Sequence, residues 1–170
     1  MNLNKNIVLV GMMGSGKSTI GYLLSKYLKL KFVDVDNTIE EETGLTINNI
    51  FQKKGEDYFR NLEEKITLKI LKNSKKIIAL GGGSFLNKNI RKEILNNHFS
   101  VWLSWKNSTI VKRILKSKKR PIAFNSTEID LKKLITERSN IYSKANFKIN
   151  CETLTKNMVL RQIIDLYEKN

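Results

Sequence analysis

The strongest constraint on this chain is a glycine-rich segment near its amino end, residues 11–18, with the sequence GMMGSGKS. It fits the pattern G-x-x-x-x-G-K-[ST], and it lies between the apolar run Ile7–Val10 and a helical pattern from Thr19. In such a strand–loop–helix unit, backbone N–H groups and the positive end of the helix surround phosphate oxygens. We therefore expect a phosphate-binding loop in which Lys17 reaches the β- and γ-phosphates of a nucleotide and the Ser18 hydroxyl binds Mg²⁺.

Length and composition are those of one folded domain. The chain has 170 residues, of which 41% are hydrophobic and 28% charged. Its apolar runs are far shorter than the roughly 18 residues of a membrane span. The first residues are mostly polar and lead directly into a strand, so we expect no signal peptide, no membrane contact and a cytoplasmic location. The one cysteine, Cys151, excludes an internal disulfide, and we expect it and the one histidine, His98, to be structural.

The positive charge of the chain invites a nucleic-acid hypothesis. There are 31 Lys and Arg against 16 Asp and Glu, a formal net charge of +15. The lysines are scattered in short pairs, which is typical of a solvated surface, and residues 116–121 form the one dense cluster. No nucleic-acid-binding motif and no interleaved aromatic residues accompany them. We expect no nucleic acid among the partners, and a nucleotide-dependent nucleic-acid binder stays as the alternative from another class.

Five apolar, β-rich runs alternate with helical patterns, and two segments depart from the alternation. Continuous apolar strands separated by helices predict an α/β fold with a five-stranded parallel sheet flanked by helices. Residues 37–73 contain three helical patterns, at 38–43, 47–54 and 56–72, and predict a substrate-binding insertion. Residues 117–130 are polar, contain the one proline and predict a lid. The predicted strands are 7–10, 31–35, 77–80, 101–105 and 147–151.

Two aspartates, Asp34 and Asp36, end the second apolar run. Side chains two apart on a strand point the same way, so we expect both at the carboxyl edge of the sheet, beside the phosphate loop. Asp34 is suited to hold Mg²⁺ through water, and Asp36 to orient a substrate hydroxyl or accept its proton. Capping of the next helix by Asp36 stays open as an alternative. The third run ends in three glycines, residues 81–83, which indicate either close approach of a ligand to the main chain or a flexible turn.

Arginine is rare here beside lysine, and its planar fork matches a carboxylate or phosphate in a way that lysine does not. The arginines complete a set of motifs through which the chain resembles shikimate kinases essentially from end to end. The motifs are, in order, G-x-M-G-x-G-K-S at 11–18, D-x-D at 34–36, F-x-x-x-G-E-x-x-F-R at 51–60 with Glu63 after it, G-G-G at 81–83, R-P at 120–121 and E-R-x-x-x-Y at 137–142.

The resemblance implies a single-domain P-loop kinase fold over residues 1–170. It implies ATP-dependent phosphorylation of the 3-hydroxyl of shikimate, a step of aromatic amino-acid biosynthesis, with Mg²⁺ accompanying ATP. The partners would be the small molecules shikimate and ATP, and we expect a monomer.

Carried over residue by residue, the resemblance also implies site residues. The catalytic residues would be Asp36, Lys17 and Arg120. The ATP side would comprise Gly14, Ser15, Gly16, Lys17, Ser18, Thr19, Arg113 on the adenine and Arg120 on the phosphates. The shikimate side would comprise Asp36, Phe51, Phe59, Arg60, Gly81, Gly82, Gly83 and Arg138, with the two arginines on the carboxylate. The metal side would comprise Ser18 and, through water, Asp34.

Another small P-loop kinase, acting on gluconate or a nucleoside monophosphate, is the alternative within the same class. Gluconate also carries a carboxylate, so the arginines alone do not exclude it. The pairing of D-x-D with three glycines favours shikimate.

Overall fold

The computed structural model describes residues 5–72, 75–116 and 127–169. These residues form a five-stranded parallel sheet in the order β2-β3-β1-β4-β5. The strands are β1 (Ile7–Val10), β2 (Lys31–Asp34), β3 (Lys76–Ala79), β4 (Phe99–Ser104) and β5 (Phe147–Asn150). The α/β class, the number of strands and their parallel direction are confirmed.

Helices cover both faces of the sheet. They are α1 (Lys17–Leu28), α2 (Val35–Thr43), α3 (Ile47–Lys54), α4 (Glu56–Leu71), α5 (Lys88–Asn97), α6 (Asn107–Lys116), α7 (Glu128–Tyr142) and α8 (Lys156–Glu168), with a short 3₁₀ helix at Ser84–Leu86. None of the helices in these described ranges has the length and apolarity that a membrane span requires.

The central strand β1 shows how the sheet divides the core. Its four side chains are fully buried and alternate between the two faces. Ile7 and Leu9 pack in a cluster with side chains of α1 and α8. Val8 and Val10 pack in the other cluster, with side chains of α2 through α7. A strand buried on both faces is a continuous apolar run, and that run predicts β1 from the sequence.

Two strand boundaries differ from the predicted ones. β4 begins at Phe99, two residues earlier than predicted, because the Phe99 N–H donates to the Asn6 carbonyl at 2.9 Å and continues the pairing with β1. β2 ends at Asp34, one residue earlier than predicted, because α2 begins at Val35.

The insertion predicted between β2 and β3 contains three helices, α2, α3 and α4. The bounds of α3 match the prediction, since the Thr46 hydroxyl caps its first turn and Gly55 follows its end. The predicted lid, 117–130, is largely outside the described residues, which resume at Thr127. Its last part is helical, because Thr127 and Asp130 form a capping box that starts α7 at Glu128.

Candidate active site

The phosphate loop follows β1 and wraps around the ammonium group of Lys17. Gly14 and Gly16 adopt φ angles of 77° and 93°, in the left-handed region that favours glycine. Lys17 is 8% exposed, and its Nζ donates to the carbonyls of Gly11 at 2.7 Å and Met12 at 3.0 Å. Helix α1 begins at Lys17, two residues before the predicted start, so Lys17, Ser18 and Thr19 form its first turn. The positive end of α1 therefore faces the loop.

The second strand brings a carboxylate to the same place. The Ser18 hydroxyl donates to Asp34 Oδ2 at 2.6 Å. The other oxygen, Asp34 Oδ1, accepts from the backbone N–H groups of Asp36 at 3.1 Å and Asn37 at 3.5 Å and caps α2. The side chain of Asp34 is thereby fixed at the carboxyl edge of the sheet, next to the first turn of α1.

The prediction that Asp34 and Asp36 lie on one strand is wrong, because β2 ends at Asp34. Asp36 lies in the first turn of α2, and the helix cap is Asp34 rather than Asp36. The Asp36 carboxylate nevertheless lies at the carboxyl edge. A Cβ atom added to Gly81, just after β3, would lie 2.5 Å from Asp36 Oδ1.

Charged side chains crowd two of the three glycines after β3, Gly81 and Gly83. A Cβ on Gly81 would also meet Glu63 Oε1 at 2.8 Å, and one on Gly83 would meet the Arg60 Cζ atom at 2.9 Å. A Cβ on Gly82 would lie 3.3 Å from the Met13 backbone nitrogen. Contacts closer than 3.0 Å are essentially absent for real Cβ atoms. Gly81 and Gly83 therefore allow charged side chains to approach the main chain closely, and Gly82 allows the phosphate loop to do so.

Arg60, on α4, is held by two carboxylates of its own helix. Its Nη1 donates to Glu63 Oε2 at 2.7 Å, and its Nη2 lies 3.1 Å from Glu56 Oε1. Glu63 is 2% exposed, and its Oε1 accepts from the Ser84 hydroxyl at 2.6 Å. Burial disfavours the Arg60 cation, but the charge and hydrogen bonds of Glu63 and Glu56 outweigh burial and raise the pKa of Arg60. The guanidinium is thus a permanent, oriented cation.

An aromatic pair forms the wall beside Arg60. The Phe51 and Phe59 ring centroids are 4.6 Å apart, and the Arg60 Cζ atom lies 5.1 Å from the centroid of Phe59 and 5.9 Å from that of Phe51. Phe59 is buried and Phe51 partly buried. A flat apolar surface next to a guanidinium suits a ring that carries a carboxylate.

A second arginine reaches the same glycines from α7. Arg138 is 7% exposed, and its Nη1 lies 3.4 Å from the Gly82 carbonyl oxygen and 3.9 Å from Met12 Sδ. Its Nε is buried without a hydrogen-bond partner among the described residues. The Tyr142 hydroxyl, one turn later, also donates to the Gly82 carbonyl, and burial raises the pKa of Tyr142 to about 12. Helix α7 is therefore tied to the glycine segment by two side chains.

Arg113, on α6, lies on the other side of the phosphate loop. Its Nη1 donates to the Gly14 carbonyl at 3.2 Å, and its Cζ lies 3.7 Å from the centroid of the Trp105 ring. The Trp105 indole N–H donates to the Ser15 carbonyl at 2.9 Å. Arg120 and Pro121, predicted in the lid, lie outside the described residues.

Comparison with known proteins fits this geometry. A family model described as shikimate kinase matches residues 13–168. The chain belongs to the shikimate kinase family. A shikimate kinase from Sulfurihydrogenibium sp. strain YO3AOP1 is 40% identical over 160 residues, 94% of this chain and 96% of that protein. One from Bacillus subtilis strain 168 is 38% identical, over 95% of this chain and 88% of that protein. The structure of shikimate kinase from Acinetobacter baumannii in complex with shikimate superimposes with a TM-score of 0.91 at 30% identity, and covers 98% of this chain and 94% of that one.

In this shikimate kinase family member, the structure gathers most of the predicted site residues at one edge of the sheet. Two contacts of that edge were missed. Glu63, whose carboxylate holds both Arg60 and Ser84, was noted only as part of a motif. Trp105 was taken as the end of a strand, although it contacts a loop 90 residues earlier in the chain. A signal for Trp105 existed, because a large aromatic directly after a buried strand lies at the carboxyl edge.

Proposed function

We propose that this chain transfers the γ-phosphoryl group of ATP to the 3-hydroxyl of shikimate, giving shikimate 3-phosphate and ADP. The observation that carries the proposal is the meeting of two half-sites at the carboxyl edge of the sheet. One is the phosphate loop with the pair Ser18 and Asp34. The other is the glycine segment 81–83 with the guanidinium groups of Arg60 and Arg138. Family membership supports the reaction, and the geometry supports the assignment of roles.

The residue roles on the acceptor side follow from charge and shape. Arg60 and Arg138 bind the carboxylate of shikimate, since planar guanidinium groups match a carboxylate bidentately. Phe51 and Phe59 exclude water from one side of the ring. Asp36 orients the 3-hydroxyl and accepts its proton as the oxygen attacks phosphorus. The backbone N–H of Gly82 donates to the ring substituents.

The roles on the phosphoryl side follow from the loop. Gly14, Ser15, Gly16 and Thr19 surround the phosphates with backbone N–H groups at the start of α1. Lys17 exchanges its contacts with the loop carbonyls for the β- and γ-phosphate oxygens. Arg120 closes on the phosphates and stabilises the charge of the transferring group. Arg113 packs on the adenine.

The donor set next to the loop fits Mg²⁺. The Ser18 hydroxyl and the Asp34 carboxylate, 2.6 Å apart, are oxygen ligands of the kind that Mg²⁺ prefers. The described residues contain no cluster of three or more His, Cys, Asp or Glu side chains that could hold a metal ion, which fits an ion held largely by nucleotide phosphates. Ser18 would bind the ion directly and Asp34 through water. An ion held there would supply positive charge that offsets the negative charge of the transferring phosphoryl group.

An assay of ADP release across acceptors tests the proposal. We expect turnover with shikimate and little with gluconate or nucleoside monophosphates. Asp36→Asn should lower kcat by roughly 10²- to 10⁴-fold, the range of a lost general base, with ADP affinity nearly unchanged. Preference for gluconate would overturn the substrate assignment, and near wild-type turnover of Asp36→Asn would remove Asp36 from its role.

The proposal also covers the oligomeric state, the location and the macromolecular partners of the enzyme. We infer a monomeric, cytoplasmic enzyme. We also infer that it has no nucleic-acid partner, because dispersed lysines do not make a continuous basic face. Size-exclusion chromatography with light scattering checks the monomer. Binding to DNA or RNA with a steep salt dependence would contradict the inference that the enzyme has no nucleic-acid partner.

A further inference from the structure

One side chain joins three separate elements beside the phosphate loop. Trp105 is the first residue after β4, and it is partly buried. Its indole N–H donates to the Ser15 carbonyl of the loop at 2.9 Å. Its ring lies under the Arg113 guanidinium of α6, with 3.7 Å between the Arg113 Cζ atom and the ring centroid. The strand end, the loop and α6 are thus connected through one indole.

The distance and the exposure indicate stacking at a surface rather than core packing. A separation of 3.7 Å is that of two flat groups in face contact, well inside the roughly 6 Å limit of a cation–π interaction. Arg113 is exposed, whereas the other tryptophan, Trp102, is buried at 7% exposure within β4. Arg113 Nη1 also donates to the Gly14 carbonyl at 3.2 Å, which fixes the guanidinium at a second point.

The Arg113 guanidinium forms no salt bridge with a carboxylate of the described residues. The ion pairs found in the described ranges do not involve Arg113. The nearby acid, Glu152, accepts instead from the Thr109 hydroxyl at 2.7 Å and the Lys106 backbone N–H at 3.1 Å. The exposed guanidinium thus rests on an indole and forms no salt bridge with a described carboxylate, although its charge helps to lower the pKa of Glu152. Its exposed side is available to an aromatic ring.

We propose that Trp105 is a positioning residue for the nucleotide. It holds the Arg113 guanidinium flat, so that a purine base stacks on the opposite face, and it anchors the Ser15 carbonyl that shapes the phosphate loop. The indole thereby fixes the position of the guanidinium that binds the base relative to the loop that binds the phosphates. The inference rests on the proposed function, because it gives Arg113 its place under adenine. A purine triphosphate offers more stacking area than a pyrimidine one, so selectivity for purines follows.

Steady-state kinetics test the role of the indole. Trp105→Leu should raise the KM for ATP roughly three- to tenfold, the range of a lost cation–π contact, and change the KM for shikimate less than about twofold. The preference for ATP over CTP should fall. Trp105→Phe keeps a ring under Arg113 and should lie between wild type and Trp105→Leu. Equal KM values for ATP in wild type and Trp105→Leu would overturn the proposal.

A double-mutant cycle separates positioning from plain structural support. If Trp105 acts through Arg113, Trp105→Leu should raise the KM for ATP by a smaller factor when Arg113 is alanine than when Arg113 is present, and the remaining effect reports the loss of the bond to the Ser15 carbonyl. Additive effects of the two changes would mean that Trp105 does not act through Arg113, and would overturn the proposal.

A binding measurement covers the case in which Trp105→Leu does not fold. The chain has two tryptophans, so Trp102→Phe leaves Trp105 as the one source of indole fluorescence. ADP should change that emission and CDP should change it less, independent of turnover. An emission that ADP leaves unchanged would overturn the proposal. If Trp102→Phe shows these emission changes but neither it nor wild type phosphorylates shikimate, the proposed function fails and the nucleotide inference stands.

Discussion

The Ser18 hydroxyl and the Asp34 carboxylate form a 2.6 Å hydrogen bond that joins the first turn of α1 to the end of β2. Asp34 Oδ1 caps α2 at the same time, so the carboxylate cannot rotate without leaving a helix end unsatisfied. One carboxylate therefore sets the position of the Ser18 oxygen and the start of the helical insertion between β2 and β3.

Asp34→Asn tests this relationship. The amide oxygen can keep the cap, but the charge next to the Ser18 hydroxyl is lost. We expect the Mg²⁺ concentration at half-maximal activity to rise roughly 10- to 100-fold, the usual effect of an outer ligand partner. The KM for shikimate should stay close to that of wild type. A titration of activity against Mg²⁺ at saturating ATP checks both, and an unchanged Mg²⁺ dependence would remove Asp34 from the metal side.

Arg60→Ala and Arg138→Ala test the carboxylate site. In the proposed site, each change would remove charge-assisted hydrogen bonds to the carboxylate of shikimate, so we expect the KM for shikimate to rise roughly 10- to 100-fold, whereas the KM for ATP changes little. Arg161→Ala is the matched control, because Arg161 is an exposed arginine of α8. Its kinetic constants should equal those of wild type. Equal weakening of both substrates by Arg60→Ala would contradict the assignment.

Gly83→Ala tests whether the glycines exist for the charges around them. Gly83 has φ −99°, which any residue adopts, so the cost of alanine is the collision with the Arg60 guanidinium. We expect the KM for shikimate to rise roughly tenfold as Arg60 is displaced. Gly44→Ala is the contrast, since Gly44 has φ 66° and no atom within 4 Å of an added Cβ. It should cost about 1–2 kcal/mol of unfolding free energy and leave KM unchanged. Equal KM values for shikimate in Gly83→Ala and wild type would show that Arg60 accommodates the methyl group.

His98 predicts how stability depends on pH. It is 7% exposed, at the end of α5, and burial lowers its pKa although Glu93 acts in the opposite direction. A histidine with a lowered folded pKa binds fewer protons when folded, so its contribution to stability is complete above the unfolded pKa of about 6.5 and is lost as pH falls below it. His98→Asn should flatten this part of the pH profile.

Urea unfolding between about pH 5 and pH 8 measures this effect as the difference between wild type and His98→Asn. Asparagine keeps an acceptor for Asn6, whose Nδ2 lies 3.3 Å from His98 Nδ1. Parallel pH curves of the two proteins would show that His98 does not contribute. Since it is the one histidine of the chain, an NMR titration of its ring reports the pKa directly.

Local signals explain what could be predicted from the sequence. The buried strands were found because side chains that face the core on both sides make continuous apolar runs. The bounds of α3 were found because a capping threonine and a glycine flank it. The placement of Arg60 and Arg138 near the glycines came from the family resemblance, since residues on α4 and α7 have no local pattern that brings them together.

Contacts between distant segments explain what was missed. Whether Asp34 or Asp36 caps α2 depends on where α2 starts, and helix starts are uncertain by one or two residues in any sequence. The bond from Trp105 to Ser15 and the one from Tyr142 to Gly82 span 90 and 60 residues. Neither follows from periodicity, because both depend on how β4 and α7 are placed once the sheet has formed.

The crowding at Gly81 and Gly83 bears on how the protein could respond to an inhibitor. A compound that occupies the proposed shikimate site would lie against a main-chain segment that side chains of Glu63, Asp36 and Arg60 already approach closely. A resistance mutation that placed a side chain at either glycine would displace those charges along with the compound. Such a mutation would weaken binding of the substrate as well as of the inhibitor. Resistance through Gly81 or Gly83 would therefore lower the activity of the enzyme.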